Sequence, residues 1–89
     1  MLVTGAEAQA LADIRGYALA GRIEVVPHAG RRMRERGVYF EDLRHALANA
    51  AVCHTEAKGR WKVPGKDEAG DDLTVIVVLE DGVVVVTLF

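Results

Sequence analysis

The chain has 89 residues, of which 51% are hydrophobic and 27% are charged, and its formal net charge is −2. These values predict one small globular domain and exclude a disordered chain. A single cysteine, Cys53, excludes an internal disulfide and a cysteine-rich zinc site, and it fits a cytoplasmic protein. We expect no signal peptide and no membrane span, because the chain has neither a basic segment before an apolar one nor about 20 apolar residues in a row.

The acidic net charge argues against a general nucleic-acid binder, but the charges are unevenly distributed. Residues 1–60 hold nine Lys and Arg against seven Asp and Glu, whereas residues 61–89 hold two against six. A positive site on an acidic body is therefore compatible with the composition.

Helical periodicity predicts three helices, over residues 5–20, 28–36 and 40–49. A capping-box pattern, Thr4 followed by Glu7, precedes the first helix. Pro27 favours the start of the second helix, and Gly37 its left-handed end. The third helix has no residue of the usual N-cap type before it.

Between the first two helices, and again after the third, the apolar pattern is that of strands. We predict a strand or extended lead-in over 22–26, a polar loop over 64–71, and strands over 51–56, 60–63, 73–79 and 83–89. The expected fold is α+β, with N-terminal helices packed on one face of a four-stranded antiparallel sheet. Both faces of the last two strands are largely apolar, so either helices cover both faces or one face binds a partner or ligand.

A basic stretch at 28–36 stands out chemically, because it holds four of the eleven Lys and Arg residues. On a helix, His28, Arg32 and Arg36 fall on one face over about 12 Å. Guanidinium groups bind phosphate in a fork, and an imidazole exchanges protons near neutral pH. Arg31 and Arg34 point elsewhere on the helix and could hold flanking phosphates. The alternative for these residues is capping, packing and ion pairing.

The run His28-x3-Arg32-Met33-x2-Arg36-Gly37-Val38, followed by Glu41-Asp42-Leu43 and a last strand with Thr87, resembles the bacterial family called domain of unknown function 4258. The resemblance covers about residues 22–89. That family is similar to the barnase, EndoU, colicin and RelE-like superfamily of metal-independent toxin ribonucleases, whose members often stand beside antitoxins. The resemblance implies a helix-plus-sheet ribonuclease scaffold on which His28, Arg32 and Arg36 match the polar motif. It also implies a catalytic place for Thr87 in the last strand, although threonine is a common strand residue in any case.

A second basic cluster, on the first predicted hairpin, comprises Lys58, Arg60 and Lys62, with Lys66 just beyond it. It either extends a track for phosphates or forms a solvated face. We interpret His45 as a surface residue, Cys53 as a core residue, and Trp61 as packed rather than base-stacking. His54 with Cys53 lacks the further ligands of a zinc site, so we expect neither metal nor cofactor.

Two functions follow from the sequence. The first is a ribonuclease-like toxin domain that binds RNA through the 28–36 helix and an open sheet face. The second is a non-catalytic module that binds an antitoxin, another protein or a second copy through the apolar sheet face and a bare C-terminal strand.

Overall fold

A computed structural model describes residues 5–89 of the chain. The helices are α1 (Gly5–Leu19), α2 (Pro27–Arg36) and α3 (Phe40–Ala48), so all three predicted helices are confirmed. Gly37 ends α2 with φ of 66°, in the left-handed region that the sequence predicts for it. The first residue of the predicted capping box, Thr4, lies outside the described residues.

The N-terminus of α3 is capped in an unexpected way. Tyr39 occupies the N-cap position, and its backbone N–H donates a hydrogen bond of 2.9 Å to Asp42 Oδ2. The Asp42 carboxylate, in the first turn of α3, therefore accepts a hydrogen bond from the backbone N–H of the N-cap residue, as the N3 residue of a capping box does. Asp42 Oδ1 also accepts a bond of 3.1 Å from the N–H of Glu68, which fixes the polar loop against this helix.

The sheet has five strands rather than the predicted four, and it is mixed rather than antiparallel. The strands are β1 (Ile23–Val25), β2 (His54–Glu56), β3 (Arg60–Lys66), β4 (Asp72–Leu79) and β5 (Val83–Leu88), in the order β1-β5-β4-β3-β2. A single turn of 3-10 helix, Ala57–Gly59, joins β2 to β3. The segment 22–26, predicted as a strand or an extended lead-in, forms β1, which pairs in parallel with the start of β5. That pairing joins distant parts of the chain, so local periodicity does not reveal it.

The predicted loop at 64–71 is wrong at its start, because β3 continues through Pro64 and Gly65. Pro64 lies opposite Thr74, whose N–H and C=O both bond to Phe89 on the other side. Thr74 therefore needs no bond from Pro64, and a proline without an N–H fits this position. Pro64 also lies beyond the end of β2, which pairs only with Arg60–Lys62. Of the predicted strand over 51–56, only His54–Glu56 forms a strand, which is β2.

Helices α1 and α3 pack on one face of the sheet, and the core lies between these helices and the sheet. Its largest fully buried side chains come from both layers: Ile14, Leu43, Leu47, Val63, Leu73, Val75, Val77, Val83, Val85 and Leu88. Arg44 joins the two helices, since its guanidinium donates to the carbonyls of Ala18 and Leu19 at the end of α1. We call the sheet face opposite α1 and α3 the open face.

Helix α2 lies at the edge of the sheet, in line with β1 and beside the second half of β5. Ala29 is buried, and Met33 packs against the core. β5 is therefore flanked by β1 along Val83–Val85 and by α2 beyond it. The expectation of a bare C-terminal strand is wrong, because the parallel strand and this helix occupy that side.

Within residues 5–89, no helix combines the length and the apolar character that crossing a membrane requires.

Candidate functional site

A β-bulge decides which residues of β5 reach the open face. Val77 pairs with Val85, but Ile76 pairs with Thr87, so Val86 is an extra residue between the two pairs. Regular pairing would set Thr87 opposite Val75, whose side chain is fully buried in the core. The bulge thus turns Thr87 to the open face, and it corrects the simple alternation that the sequence suggests for this strand.

The strand register aligns four side chains across the open face. His54 lies opposite Lys62, Lys62 opposite Ile76, and Ile76 opposite Thr87. Directly opposed residues point to the same side of a sheet, and neighbouring strands are about 4.8 Å apart. His54 is thus about 14 Å from Thr87 by strand spacing, too far for both to act on one phosphate.

His28 meets this row at its β5 end. Its Nε2 atom lies 3.3 Å from the Thr87 Oγ1 atom, and the hydroxyl donates to a neutral Nε2 or accepts from a protonated one. His28 is in the first turn of α2, and Val26 at the N-cap provides no side-chain hydrogen bond. His28 is therefore close to the partial positive charge at the N-terminus of the helix.

An open groove of about 300 Å³ runs over this part of the face, and we call it the sheet groove. Lys58 and Arg60 line it from the β2–β3 hairpin, and Thr87 and Phe89 line it from β5. The Lys62 Nζ atom lies 5.9 Å from the centre of the Phe89 ring. Lys62 and His28 are not lining residues themselves, and they adjoin the groove through Phe89 and Thr87 respectively. The structure thus brings cations of the hairpin near Thr87 and His28, which the sequence identified in separate parts of the chain.

Four lining residues were missed at the level of sequence, and one of them is Ala57 in the hairpin. Ile76 forms the floor and is only 7% exposed, although it faces away from the helices. Glu56 adds a carboxylate on the hairpin side, opposite Arg60 in the register. Phe89 is 47% exposed and shares a face with Thr87. The two-residue spacing of Thr87 and Phe89 was the available signal, since it places both on one side of a strand.

The arginines of α2 do not act as one group. Arg32 Nε and Nη2 donate to the carbonyl of Leu88, at 3.3 and 3.2 Å, so this side chain satisfies an acceptor at the edge of β5. Arg31, Arg34 and Arg36 are exposed and lie outside the lining of the sheet groove. The predicted stack of His28, Arg32 and Arg36 therefore has its first two members directed at β5 and its third in solvent.

The remaining candidates occupy other places. His45 Nδ1 lies 3.1 Å from the carbonyl of Lys66, and Trp61 packs against the core. Cys53 is buried, and its thiol lies 3.3 Å from the carbonyl of Glu7. Burial, with the nearby charge of Glu7, raises the pKa of this thiol, so it is a poor nucleophile. Among the described residues, no cluster of His, Cys, Asp and Glu is suited to a metal ion.

A larger groove, of about 550 Å³, lies at the other end of β3. Val52 and Pro64 give it apolar walls, and His45 and Asn49 add polar groups from the end of α3. It borders the part of β3 beyond Lys62 that β2 leaves unpaired. Pro64 presents no N–H at this edge, so the edge is poorly suited to pairing with a further strand.

Comparisons with protein-family models, with curated proteins and with solved structures gave no match.

Proposed function

We propose that this domain binds RNA across the open face and cleaves it as an endoribonuclease of the toxin type. The proposal rests on the 3.3 Å contact between His28 and Thr87 at a groove whose other side carries cations. A proton-carrying imidazole beside groups that bind phosphate is the minimal equipment for transesterification by the RNA 2′-hydroxyl.

In this reaction the 2′-hydroxyl attacks the adjacent phosphorus, and the bond to the 5′-oxygen breaks. Either His28 takes the proton of the 2′-hydroxyl while water protonates the leaving 5′-oxygen, or water takes the first proton while a protonated His28 supplies the second. Lys62 and Arg60 face the negative charge that grows on the phosphate oxygens. Thr87 holds the ring of His28 through its hydroxyl and so acts as a positioning residue.

The first experiment measures cleavage of a mixed-sequence RNA by wild type and by His28→Ala. We expect the variant to lose at least about 100-fold in rate, which is the ordinary contribution of a positioned acid or base. Thr87→Val, which keeps the shape of the side chain but removes its hydroxyl, should lower the rate less and change the ¹⁵N shifts that report the His28 tautomer.

His45→Ala is the matched control, because it removes an exposed histidine outside the sheet groove. Its rate should equal that of wild type. If His28→Ala cleaves as fast as wild type while both proteins are folded, His28 has no catalytic role and the assignment fails.

A second candidate function is binding of another protein, an antitoxin or a second copy of the chain. The larger groove favours it, because its apolar walls at Val52 and Pro64 can receive side chains of a partner. In that case a partner would shift the amide resonances of Val52 and Lys66, and RNA would shift none on the open face.

A further inference from the structure

The wall of the sheet groove includes an aromatic ring in a setting that suits a nucleobase. Phe89 is 47% exposed on the open face, and its N–H and C=O are both bonded to Thr74. The ring therefore extends from a backbone position that the sheet holds in place. An exposed ring on a paired strand is pre-organised for stacking, since little backbone order is lost on binding.

The charges around this ring fit a nucleotide rather than an apolar ligand. Lys62 Nζ lies over one face of the ring, 5.9 Å from its centre, and Lys62 is opposite Ile76, which pairs with Thr87 in the row. A base stacked on the opposite face of Phe89 would therefore have its phosphate close to Lys62. Glu56 and the hairpin line the far side of the groove.

We infer that Phe89 is a base-stacking residue and that the sheet groove selects single-stranded RNA. This inference rests on the proposed function and gives it a substrate class. Stacking needs an unpaired base, because in a helix both faces of each base are covered by its neighbours. Trp61, which the sequence analysis interpreted as packed rather than base-stacking, lies on the other side of the sheet.

The test measures binding of an RNA octamer whose 2′-hydroxyls are methylated, so that it is not cleaved, in single-stranded form and as a blunt duplex. Phe89→Leu should weaken binding of the single strand about 10-fold, and Phe89→Tyr should keep it, since only the leucine lacks a ring. Tyr39→Leu is the control, because Tyr39 is a 77% exposed aromatic residue outside the groove. It should bind as wild type does.

A measurement on the wild type makes the test independent of the variants' folding. Proton resonances of the Phe89 ring should move upfield when the single strand binds and stay in place with an octamer that carries abasic sites. If Phe89→Leu binds the single strand as tightly as wild type, or if the ring resonances do not move, the stacking role is wrong while RNA binding stands. If wild type binds neither strand form at low salt, the proposed function fails as well.

Discussion

At the scale of single residues, two side chains one helical turn apart on α2 do different work. His28 faces Thr87 at the groove, whereas Arg32 uses two nitrogens to bind the Leu88 carbonyl. An edge carbonyl that loses such a donor keeps only water as a partner. Helical spacing correctly placed His28 and Arg32 on one face, but the atoms that each side chain contacts are set by the strand beside it.

Replacing Arg32 should therefore affect folding more than replacing Arg36. We expect Arg32→Met to lower the free energy of unfolding by about 1–2 kcal/mol, the range for a bond from a charged donor that is partly exposed to water. Arg36→Met, in the exposed last turn, should change it by less than about 0.5 kcal/mol. Urea unfolding measures both. Equal losses would contradict the structural role of Arg32.

Cys53 should make stability depend on alkaline pH. Its thiol has a raised pKa in the fold, from burial and then from Glu7. A group whose folded pKa is raised stabilises the fold fully below its unfolded pKa, and that contribution is lost as pH rises through the folded pKa. Urea unfolding from about pH 7 to about pH 10 should show a decline in wild type that is smaller in Cys53→Ala. Parallel pH profiles for the two proteins would disprove the linkage.

At the scale of elements, one glycine sets how closely α3 approaches β3. A Cβ atom on Gly65 would lie 2.9 Å from the carbonyl oxygen of Ala46 and 3.0 Å from its Cβ. Gly65→Ala should cost about 1–3 kcal/mol, because backbone and a buried side chain must both shift. Gly16→Ala is the matched control, since nothing lies within 4 Å of that position in α1, and it should stabilise by about 0.5–1 kcal/mol. Thermal unfolding of the two variants should thus move in opposite directions.

The helices were predictable from sequence because their signals are local. Gly37 ends α2 and the apolar spacing of α3 faces the core, as periodicity alone requires. The sheet was predictable only in part. Pro64 and Gly65 indicate a loop when seen alone, but one lies where no donor is needed and the other where a helix leaves no room for a side chain.

The candidate site shows the same division between local and distant information. Part of the groove could be identified from the chain, since the sequence singled out Lys58, Arg60 and Thr87 but not Glu56, Ile76 or Phe89. Which of these residues lie together could not be predicted, because that depends on strand register and on the extra residue at Val86. Without that bulge Thr87 would face the core, and the row that ends at His28 would not exist.

At the scale of the whole molecule, the net charge of −2 conceals a separation of charge along β3. Arg60 begins this strand at the hairpin, and Lys66 ends it about 20 Å away at 3.3 Å per residue. Lys66 is paired with Asp72, and their hydrogen bond raises the pKa of the lysine and lowers that of the aspartate. The acidic loop that follows therefore takes up the charge of Lys66 and leaves the hairpin cations as the positive end.

This separation predicts how salt acts on RNA binding. If Lys58, Arg60 and Lys62 each neutralise one phosphate, the logarithm of the binding constant should fall with the logarithm of salt concentration with a slope of about −2, at about 0.7 per phosphate of a single strand. Lys62→Gln should reduce the slope by about 0.7. Lys66→Gln changes the net charge equally, but Lys66 lies at the other end of β3 and is paired with Asp72, so its slope should match that of wild type. Equal changes in both variants would mean that RNA responds to the charge of the whole molecule, and the open face would then have no special part in binding.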